Sequence, residues 1–144
     1  MQNVFVYGSL LFSDIVTRLT GTSFTSEEAT LPHFKRCRVK EADYPAIIEN
    51  NDTNVQGKIL FDVNDIVLKQ LEFFEGEDYE VRETTAFCKG EKVQALLFCW
   101  IGPHSSLTNE DWNLELFESE SLEYYIEFII PATVKEYNRI FLGT

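Results

Sequence analysis

An apolar run near the start of the chain ends in a glycine turn, and residues 4–10 read Val-Phe-Val-Tyr-Gly-Ser-Leu. Its consecutive β-prone residues predict a short buried strand over Asn3–Tyr7. The strand is expected to end at Gly8–Ser9, and Ser13–Asp14 then predict the cap of a helix. A buried strand that turns directly into a helix favours a fold that mixes α and β elements.

The turn after this strand has two interpretations. Consecutive backbone N–H groups from Gly8 to Leu10 could point outward as an anion-binding nest, with support from the dipole of the next helix. Such a nest would hold a substrate carboxylate, or the oxyanion that forms at an attacked carbonyl, without any arginine. The local pattern by itself favours the second interpretation, an ordinary strand exit in which Ser9 caps the helix.

The middle of the chain predicts extended structure. From Ser23 to Asn50 the pattern is irregular, with breaks at Pro32 and at Tyr44–Pro45. A loosely alternating strand is expected over Val55–Val63. Gly57 within that strand predicts a bulge or a close approach of two backbones.

Helices are expected after this strand and towards the C-terminus. Asn64 predicts the cap of a helix whose apolar residues recur on one face at helical spacing. Residues 108–141 predict two or three amphipathic helices, with Thr108–Asn109 as the first cap and Pro131 as an interruption. Helix and strand therefore alternate irregularly, which indicates an α+β fold.

The clearest local signal is a β-hairpin. Residues 80–88 and 92–101 form its two strands, and residues 89–91, Lys-Gly-Glu, form a three-residue turn. In that pairing Val81 is expected to face Cys99. Both faces of the second strand are apolar, which predicts a strand inside a closed or covered sheet.

The composition describes a folded, acidic protein. The 144 residues are 44% hydrophobic and carry a net charge of −12, and they are expected to form one domain over residues 1–144. Such a negative field repels phosphate backbones and anionic headgroups, so nucleic-acid and membrane partners are not expected. The apolar start lacks the basic residues of a secretory signal, and three cysteines without framework spacing suit a cytoplasmic protein.

Several familiar catalytic patterns are absent from the sequence. His33 and His104 are the only histidines, and neither lies in a nucleophile motif such as GxSxG. Phosphate-binding loops of the GxxxxGKS/T or GxGxxG type are missing. The cysteines form no CxxC pair and have no histidine at zinc-ligand spacing. The sequence therefore predicts neither a metal nor a nucleotide cofactor.

A carboxylate-rich segment, LEFFEGEDY at residues 71–79, is the second candidate for chemistry. Glu75 follows apolar residues and precedes Gly76, which is expected to stop a helix. A carboxyl group beside phenylalanine rings and other carboxylates should have a raised pKa, and it could act as a general base near neutral pH. The commoner meaning of an acidic run is a solvated helix end and loop.

Taken together, these segments resemble the γ-glutamylcyclotransferase-like superfamily, in the branch of γ-glutamylamine cyclotransferases and plant avirulence-induced-gene proteins. The similarity covers roughly the first 100 residues, in order and at family-like spacing. The matching segments are residues 4–10, Tyr44-Pro45-Ala46, Gly57 with the strand after it, residues 71–76, Tyr79 and the hairpin that ends at Trp100.

The resemblance implies a small mixed β-barrel flanked by helices, with a cavity at one end. It implies that the Tyr-Gly-Ser/Thr-Leu turn grips a γ-glutamyl group through its backbone, that Glu75 is the catalytic base and that no cofactor takes part. The implied substrate-binding residues are Tyr7, Gly8, Ser9, Leu10 and Tyr79. The two tyrosines are expected to be pocket walls and hydroxyl donors, or alternatively half-buried core aromatics.

The implied reaction is a cyclotransferase step on a small γ-glutamyl amine or γ-glutamyl amino acid, which yields 5-oxoproline and a free amine. Glu75 would take a proton from the α-ammonium group, and the freed amine would attack the γ-carbonyl of the same molecule. Two alternatives stay open. One is a non-catalytic member that binds a small molecule or a protein, and the other is hydrolysis of another amide by the same carboxylate.

One segment departs from the family pattern. Members often carry Tyr-x-Arg after the catalytic loop, whereas this chain reads Tyr-Glu-Val-Arg at residues 79–82. On a strand with a two-residue period, the extra residue places Arg82 on the face opposite Tyr79. Arg82 is therefore not expected in the site.

Overall fold

The computed structural model describes residues 1–144. Its strands are β1 (Gln2–Val6), β2 (Ser26–Arg38), β3 (Pro45–Val63), β4 (Tyr79–Cys88) and β5 (Glu91–Trp100). Its helices are α1 (Ser13–Thr20), α2 (Asp65–Glu75), α3 (Leu114–Glu120), α4 (Leu122–Tyr124) and α5 (Ile130–Tyr137). Short 3-10 turns cover Ser9–Leu11 and His104–Ser106, and π-helical turns cover Tyr125–Ile129 and Asn138–Leu142.

The five strands close into a mixed barrel in the order β1-β3-β2-β4-β5. Neighbouring strands are antiparallel except β1 and β5, which pair in parallel through Val4 with Leu96 and Phe5 with Leu97. β2 meets β4 at a single residue pair, which makes this the narrowest seam of the barrel. The barrel and its flanking helices confirm the predicted α+β fold.

Two apolar layers explain why β5 is apolar on both faces. Phe5, Ile59 and Leu97 are fully buried in the interior of the barrel. Leu96 and Phe98, on the other face of β5, are buried against α1, α2 and the C-terminal helices. The prediction of a strand inside a closed or covered sheet is therefore confirmed.

Gly57 allows β1 and β3 to pack at very short range. A Cβ atom at this position would lie 2.3 Å from the Val6 carbonyl oxygen and 2.7 Å from Phe5 Cζ. Non-bonded heavy atoms are most favourably about 3.5 Å or more apart, so no side chain fits here. The close approach predicted at Gly57 is confirmed.

The β4–β5 hairpin has a tighter turn than the sequence predicted. Cys88 pairs with Glu91, which leaves a turn of two residues rather than three. Lys89 and Gly90 have positive φ values of 52° and 79°, the backbone that a two-residue turn needs to follow the twist of its strands. The predicted three-residue turn is wrong because Lys89 adopts a left-handed conformation that its residue type does not signal.

This one-residue difference changes the face on which β4 side chains lie. Val81 pairs with Phe98, not with Cys99 as predicted. Val81 consequently packs against the helix-covered layer, while Cys99 lies in the barrel interior. A one-residue slip reverses every side chain of a strand because the side-chain period is two.

β2 and β3 form a long two-stranded ribbon where the sequence predicted irregular extended structure. β2 continues through Pro32, and the pairing shifts between Pro32 and Phe34, where His33 has a φ of 68°. The predicted break is thus a bulge directly after Pro32 and not the end of the strand, and bulges are among the few places where a sheet tolerates a proline. The break predicted at the next proline is confirmed, since β3 begins at Pro45.

The boundaries of the first two helices agree only in part with the sequence. The predicted cap of α2 is confirmed, since Asn64 Oδ1 accepts a hydrogen bond from the Val67 N–H at 2.9 Å. The predicted Ser13–Asp14 cap of α1 is wrong, because α1 begins directly after Phe12 with no side-chain cap.

The C-terminal segment also differs from the prediction at its start. Asn113 caps α3 by accepting a hydrogen bond from the Leu116 N–H at 2.8 Å. Thr108–Asn109 caps no helix, because the Thr108 hydroxyl donates instead to the Arg38 carbonyl at 3.0 Å. A contact with a distant strand therefore replaces the local cap.

Pro131 does not interrupt the C-terminal helices as predicted. It lies in the first turn of α5, directly after the π-helical turn Tyr125–Ile129. A wider turn relieves the clash of the proline ring with the preceding carbonyls, so the chain stays helical.

None of the helices is both long and apolar enough to cross a bilayer.

Replacing Gly57 with alanine is expected to lower the free energy of unfolding by about 2–4 kcal/mol, because the methyl group overpacks against the β1 backbone. Gly21→Ala is the matched control. Its Cβ position is open within 4 Å and only its φ of 74° is unfavourable, which costs about 1 kcal/mol. Urea midpoints compare the two variants. A smaller loss for Gly57→Ala than for Gly21→Ala would contradict the close approach.

Candidate active site

A cavity of about 320 Å³ lies at one end of the barrel. Its walls come from the turn after β1, the end of α2, the start of β4 and the C-terminal helices. The residues predicted for the site all line this cavity, namely Tyr7, Gly8, Ser9, Leu10, Glu75 and Tyr79. The fold therefore brings the glycine turn and the acidic segment together.

The end of helix α2 determines where Glu75 lies. The Asn64 cap fixes the start of this helix, and the fully buried Leu71 anchors its middle. Glu75 is the last helical residue, and Gly76, with a φ of 89°, ends the helix as predicted. Glu72, one turn earlier, is exposed to solvent. Glu75 alone among the helix carboxylates therefore borders the cavity.

Burial changes the acidity of Glu75. Desolvation raises the pKa of its carboxyl group from 4.5 to about 7. The neighbouring carboxylates, which the sequence suggested as a second cause, are not part of this shift. At neutral pH the group exists in both protonation states, which suits a residue that takes up and returns a proton.

The cavity is acidic and contains no basic side chain. Glu77 and Asp78 line it together with Glu75, and no Lys, Arg or His does so. An anionic group in this cavity would have to be held by backbone N–H groups or hydroxyls. No three His, Cys, Asp or Glu side chains are grouped so that they could hold a metal ion.

The turn after β1 supplies such donors. The amides of Leu11 and Phe12 donate to the carbonyls of Gly8 and Ser9, at 2.9 and 3.2 Å. The Gly8 amide donates no hydrogen bond within the protein, and the amides of Ser9 and Leu10 have no acceptor inside the turn. The second interpretation, in which Ser9 caps the next helix, is wrong, because Ser9 caps no helix. The nest stays a prediction.

Ser9 is the one buried polar residue of the chain. Its hydroxyl forms no hydrogen bond with the protein, and the residue lines the cavity. The oxygen itself is not enclosed, because Gln70 Oε1 is the one fully buried side-chain nitrogen or oxygen that has no hydrogen-bond partner. The site therefore retains a polar group that a ligand can satisfy.

Gly8 packs directly on Pro45. A Cβ atom at Gly8 would lie 2.9 Å from Pro45 Cγ. The carbonyl of Pro45 accepts a hydrogen bond from the Tyr79 hydroxyl at 2.7 Å, and the Tyr79 ring packs edge-on against Trp100. The start of β3 thus holds the glycine turn and Tyr79 in fixed relative positions.

The two predicted tyrosines use their hydroxyl protons within the protein. Tyr7 donates to the Phe98 carbonyl, and Tyr79 donates to the Pro45 carbonyl. Burial first, and the charge of Glu75 second, raise the pKa of both hydroxyl groups. Both residues are therefore walls of the cavity whose oxygens can accept, but not donate, a hydrogen bond.

Sequence reasoning did not identify Tyr125, which is part of the cavity wall, or Asp43, which contacts Tyr125 from behind that wall. Tyr125 lines the cavity and donates to Asp43 Oδ1 at 2.8 Å, and the Trp112 indole donates to the Asp43 carbonyl at 2.8 Å. Asp43 precedes Tyr44, another cavity residue. No motif marks these residues, because each contact joins segments that are far apart in sequence.

Arg82 lies outside the cavity, in agreement with the sequence analysis. β4 and β5 pair without a bulge, so Arg82 and Tyr79 lie on opposite faces of β4. The Arg82 guanidinium contacts Glu80 at 2.6 Å on the surface.

Comparison with known proteins finds relatives over most of the chain. A family model described as "Gamma-glutamyl cyclotransferase, AIG2-like" matches residues 4–114. AIG2-like protein D of Arabidopsis thaliana is 33% identical over 130 residues, which are 88% of this chain and 86% of that protein.

Solved structures have the same fold. A solution structure of an Arabidopsis thaliana protein has a TM-score of 0.68 and 27% identity, over 99% of this chain and 91% of that chain. A structure described as "Gamma-glutamyl cyclotransferase" has a TM-score of 0.59 over 94% of this chain and 98% of that chain. Its identity of 16% limits this likeness to the fold.

The raised pKa of Glu75 predicts a pH-dependent stability. Between pH 4.5 and about 7 the folded protein keeps a proton on Glu75 that the unfolded chain has lost, so the free energy of unfolding falls as the pH rises. Glu75→Gln stays neutral. It is expected to match the wild type near pH 4 and to be more stable by up to about 3 kcal/mol near pH 8.

Urea unfolding of both proteins at the two pH values measures this difference. Glu72→Gln is the matched control, because it removes an exposed carboxylate from the same helix. An equal response of the two variants would show that burial of Glu75 is not the cause.

Proposed function

The chain belongs to the "Gamma-glutamyl cyclotransferase, AIG2-like" family, and we propose that it converts a γ-glutamyl amine or γ-glutamyl amino acid into 5-oxoproline and a free amine. The observation that carries the proposal is the Glu75 carboxyl group, with a pKa of about 7, in the cavity that the unpartnered Gly8 amide also lines. A base and a donor for developing negative charge are what intramolecular aminolysis requires.

Glu75 acts first on the α-ammonium group of the substrate. Its carboxylate accepts one proton, and the neutral nitrogen then attacks the γ-carbonyl carbon of the same molecule. The α-amino group of a γ-glutamyl compound has a pKa above the value of about 8 of a peptide α-amino group, because an ionised carboxylate lies on the same carbon. A carboxylate of pKa about 7 is close enough to that range to take up the proton for a short time. An exposed glutamate, with a pKa of about 4.3, would be a much weaker base for this amine.

The tetrahedral intermediate then releases the leaving amine. The bond between the γ-carbon and the leaving nitrogen breaks, and the proton held by Glu75 passes to that nitrogen. The ring nitrogen still carries two hydrogens after its attack, and it gives one of them to the released amine, which departs as an ammonium ion. The remaining five-membered lactam is 5-oxoproline. Glu75 takes one proton and returns one, so it ends the cycle as a carboxylate.

The reaction needs little further machinery because nucleophile and electrophile belong to one molecule. The protein has to fold the substrate so that the α-nitrogen meets the γ-carbon, and such orientation is worth about 7–11 kcal/mol in favourable cases. A cavity at the end of the barrel, with Tyr7, Tyr79 and Tyr125 among its walls, suits this task. Neither a nucleophilic side chain nor a cofactor enters the proposed steps.

Backbone N–H groups of the glycine turn would bind the negatively charged groups of the substrate. The amides of Gly8 to Leu10 would hold either the oxyanion of the intermediate or the α-carboxylate. The hydroxyl oxygens of Tyr7 and Tyr79 would accept hydrogen bonds from the α-ammonium group, since their own protons are engaged. The acidic lining favours the ammonium group near Glu75.

Glu75→Gln is expected to lower the rate of 5-oxoproline release by about 100- to 10,000-fold, because the amide keeps the shape but cannot take a proton. A panel of γ-glutamyl amines and amino acids, with 5-oxoproline measured by chromatography, provides the test. Glu72→Gln is the control with an exposed carboxylate on the same helix. Unchanged release from Glu75→Gln would contradict the proposed base.

The same panel separates the alternatives. Free glutamate in place of 5-oxoproline would indicate hydrolysis of the amide. No product from either protein, together with binding of the same compounds in the cavity, would indicate a non-catalytic binding protein.

The rate should also depend on pH in a defined direction. The base must be ionised, so kcat/KM is expected to rise with pH and to reach half of its plateau near the Glu75 pKa of about 7. Initial rates at a saturating and a limiting substrate concentration give this profile. A half-maximal point near pH 4 would show that the carboxyl group is not desolvated as described.

A further inference from the structure

Arg36 lies behind the glycine turn and outside the cavity. Only 15% of its side chain is exposed. Its Nη1 donates to the Tyr7 carbonyl at 2.9 Å and to the Gln56 carbonyl at 3.5 Å, while Nε and Nη2 donate to Asp111 at 2.7 and 3.2 Å. The guanidinium also lies over the Trp112 ring, 5.5 Å from its centre. All of its nitrogens are therefore engaged in fixed contacts.

We propose that Arg36 is a positioning residue that orients and polarises the peptide group between Tyr7 and Gly8, so that the Gly8 amide binds an anionic atom in the cavity. The inference rests on the proposed function for the identity of that atom, an oxyanion or a carboxylate. The contact between Arg36 and the Tyr7 carbonyl is independent of any reaction.

The geometry of the Tyr7–Gly8 peptide group determines the direction in which the Gly8 N–H points. All peptide bonds of the chain are trans, so the Tyr7 carbonyl and the Gly8 N–H point in opposite directions. Arg36 Nη1 donates to the Tyr7 carbonyl from the side away from the cavity, since Arg36 does not line the cavity itself. Gly8 lines the cavity, and its N–H has no acceptor within the protein. The free N–H is thus directed towards the space where a ligand would lie.

The charge on Arg36 strengthens this donor. A charge-assisted hydrogen bond to a carbonyl polarises the whole peptide group, and the N–H at its other end becomes a better donor. The effect matters in this cavity, because three carboxylates and no cation line it. Arg36 supplies positive potential to the turn without placing a cation where it would pair with Glu75.

A competing explanation is that Arg36 only ties the segment before α3 to the barrel. Arg38, two residues along β2, makes a comparable tie, because its Nη2 contacts Glu110 at 3.2 Å and its backbone pairs with Glu110 and Thr108. Arg38 does not touch the glycine turn and does not line the cavity. Arg38→Gln is therefore the matched control for Arg36→Gln.

Asp111→Asn provides a second comparison that does not depend on removing the arginine. It breaks the same ion pair, while Tyr7 and Gln56 carbonyls and the Trp112 ring still hold the guanidinium. The positioning role predicts that this variant leaves the Tyr7–Gly8 peptide polarised. If Arg36 only connects the segment before α3 to the barrel, Asp111→Asn is expected to behave like Arg36→Gln.

The first measurement is made without substrate. Carbonyl ¹³C and amide ¹⁵N chemical shifts of Tyr7 and Gly8 are recorded by NMR for the wild type and the three variants. Arg36→Gln is expected to move both signals, and Arg38→Gln and Asp111→Asn are expected to change them much less. Signals that stay in place in Arg36→Gln, or move equally in Arg38→Gln, would overturn the proposal.

The second measurement uses 5-oxoproline as a binding probe and the best γ-glutamyl compound as substrate. Arg36→Gln is expected to weaken 5-oxoproline binding about tenfold and to lower kcat/KM about 10- to 100-fold. A loss in kcat would assign the Gly8 amide to the oxyanion, and a rise in KM would assign it to the carboxylate. Equal losses in Arg36→Gln, Arg38→Gln and Asp111→Asn would overturn the proposal.

The two measurements distinguish the failure of each idea. A wild-type protein that releases no 5-oxoproline contradicts the proposed function, and the NMR shifts still decide the role of Arg36. Turnover by the wild type together with unaffected turnover by Arg36→Gln retains the proposed function and removes the positioning role.

Discussion

Burial of β1 on all sides is the constraint on which this structure depends. The strand pairs with β3 on one edge and in parallel with β5 on the other, so it closes the barrel. Phe5 fills the interior, while Val4 and Val6 pack under the helices. Such a strand has little freedom to slip, because any shift would expose apolar groups and break both ladders. The turn that follows it is therefore held firmly at the end of the barrel.

The site combines this rigid turn with a carboxyl group whose charge is unfavourable. Desolvation of Glu75 costs stability at neutral pH, and the fold tolerates that cost because α2 is capped by Asn64 and anchored by Leu71. A nearby cation would stabilise the carboxylate and lower its pKa, which would make it a poorer base. An acidic cavity with backbone donors keeps the basicity of Glu75 and still offers sites for negative charge.

Side chains from the C-terminal part of the chain hold this arrangement from outside. Asp111 and Trp112 engage Arg36, which contacts the turn after β1. Trp112 and Tyr125 both contact Asp43, beside the loop that ends at the cavity. A segment that contributes no strand to the barrel thus determines the shape of the site.

Local sequence determined the parts that local physics controls. The apolar run of β1, the Asn64 cap, the helix stop at Gly76 and the hairpin at β4–β5 follow from propensity and periodicity within a few residues. Resemblance to a family then brought the glycine turn and Glu75 into one predicted site. Only the tertiary structure decided the hairpin register, the passage of β2 through Pro32, the desolvation of Glu75 and the contact of Arg36 with the Tyr7 carbonyl. Each of these depends on atoms distant in sequence or on a backbone conformation that residue type does not specify, because burial and long-range pairing exist only once the barrel has closed.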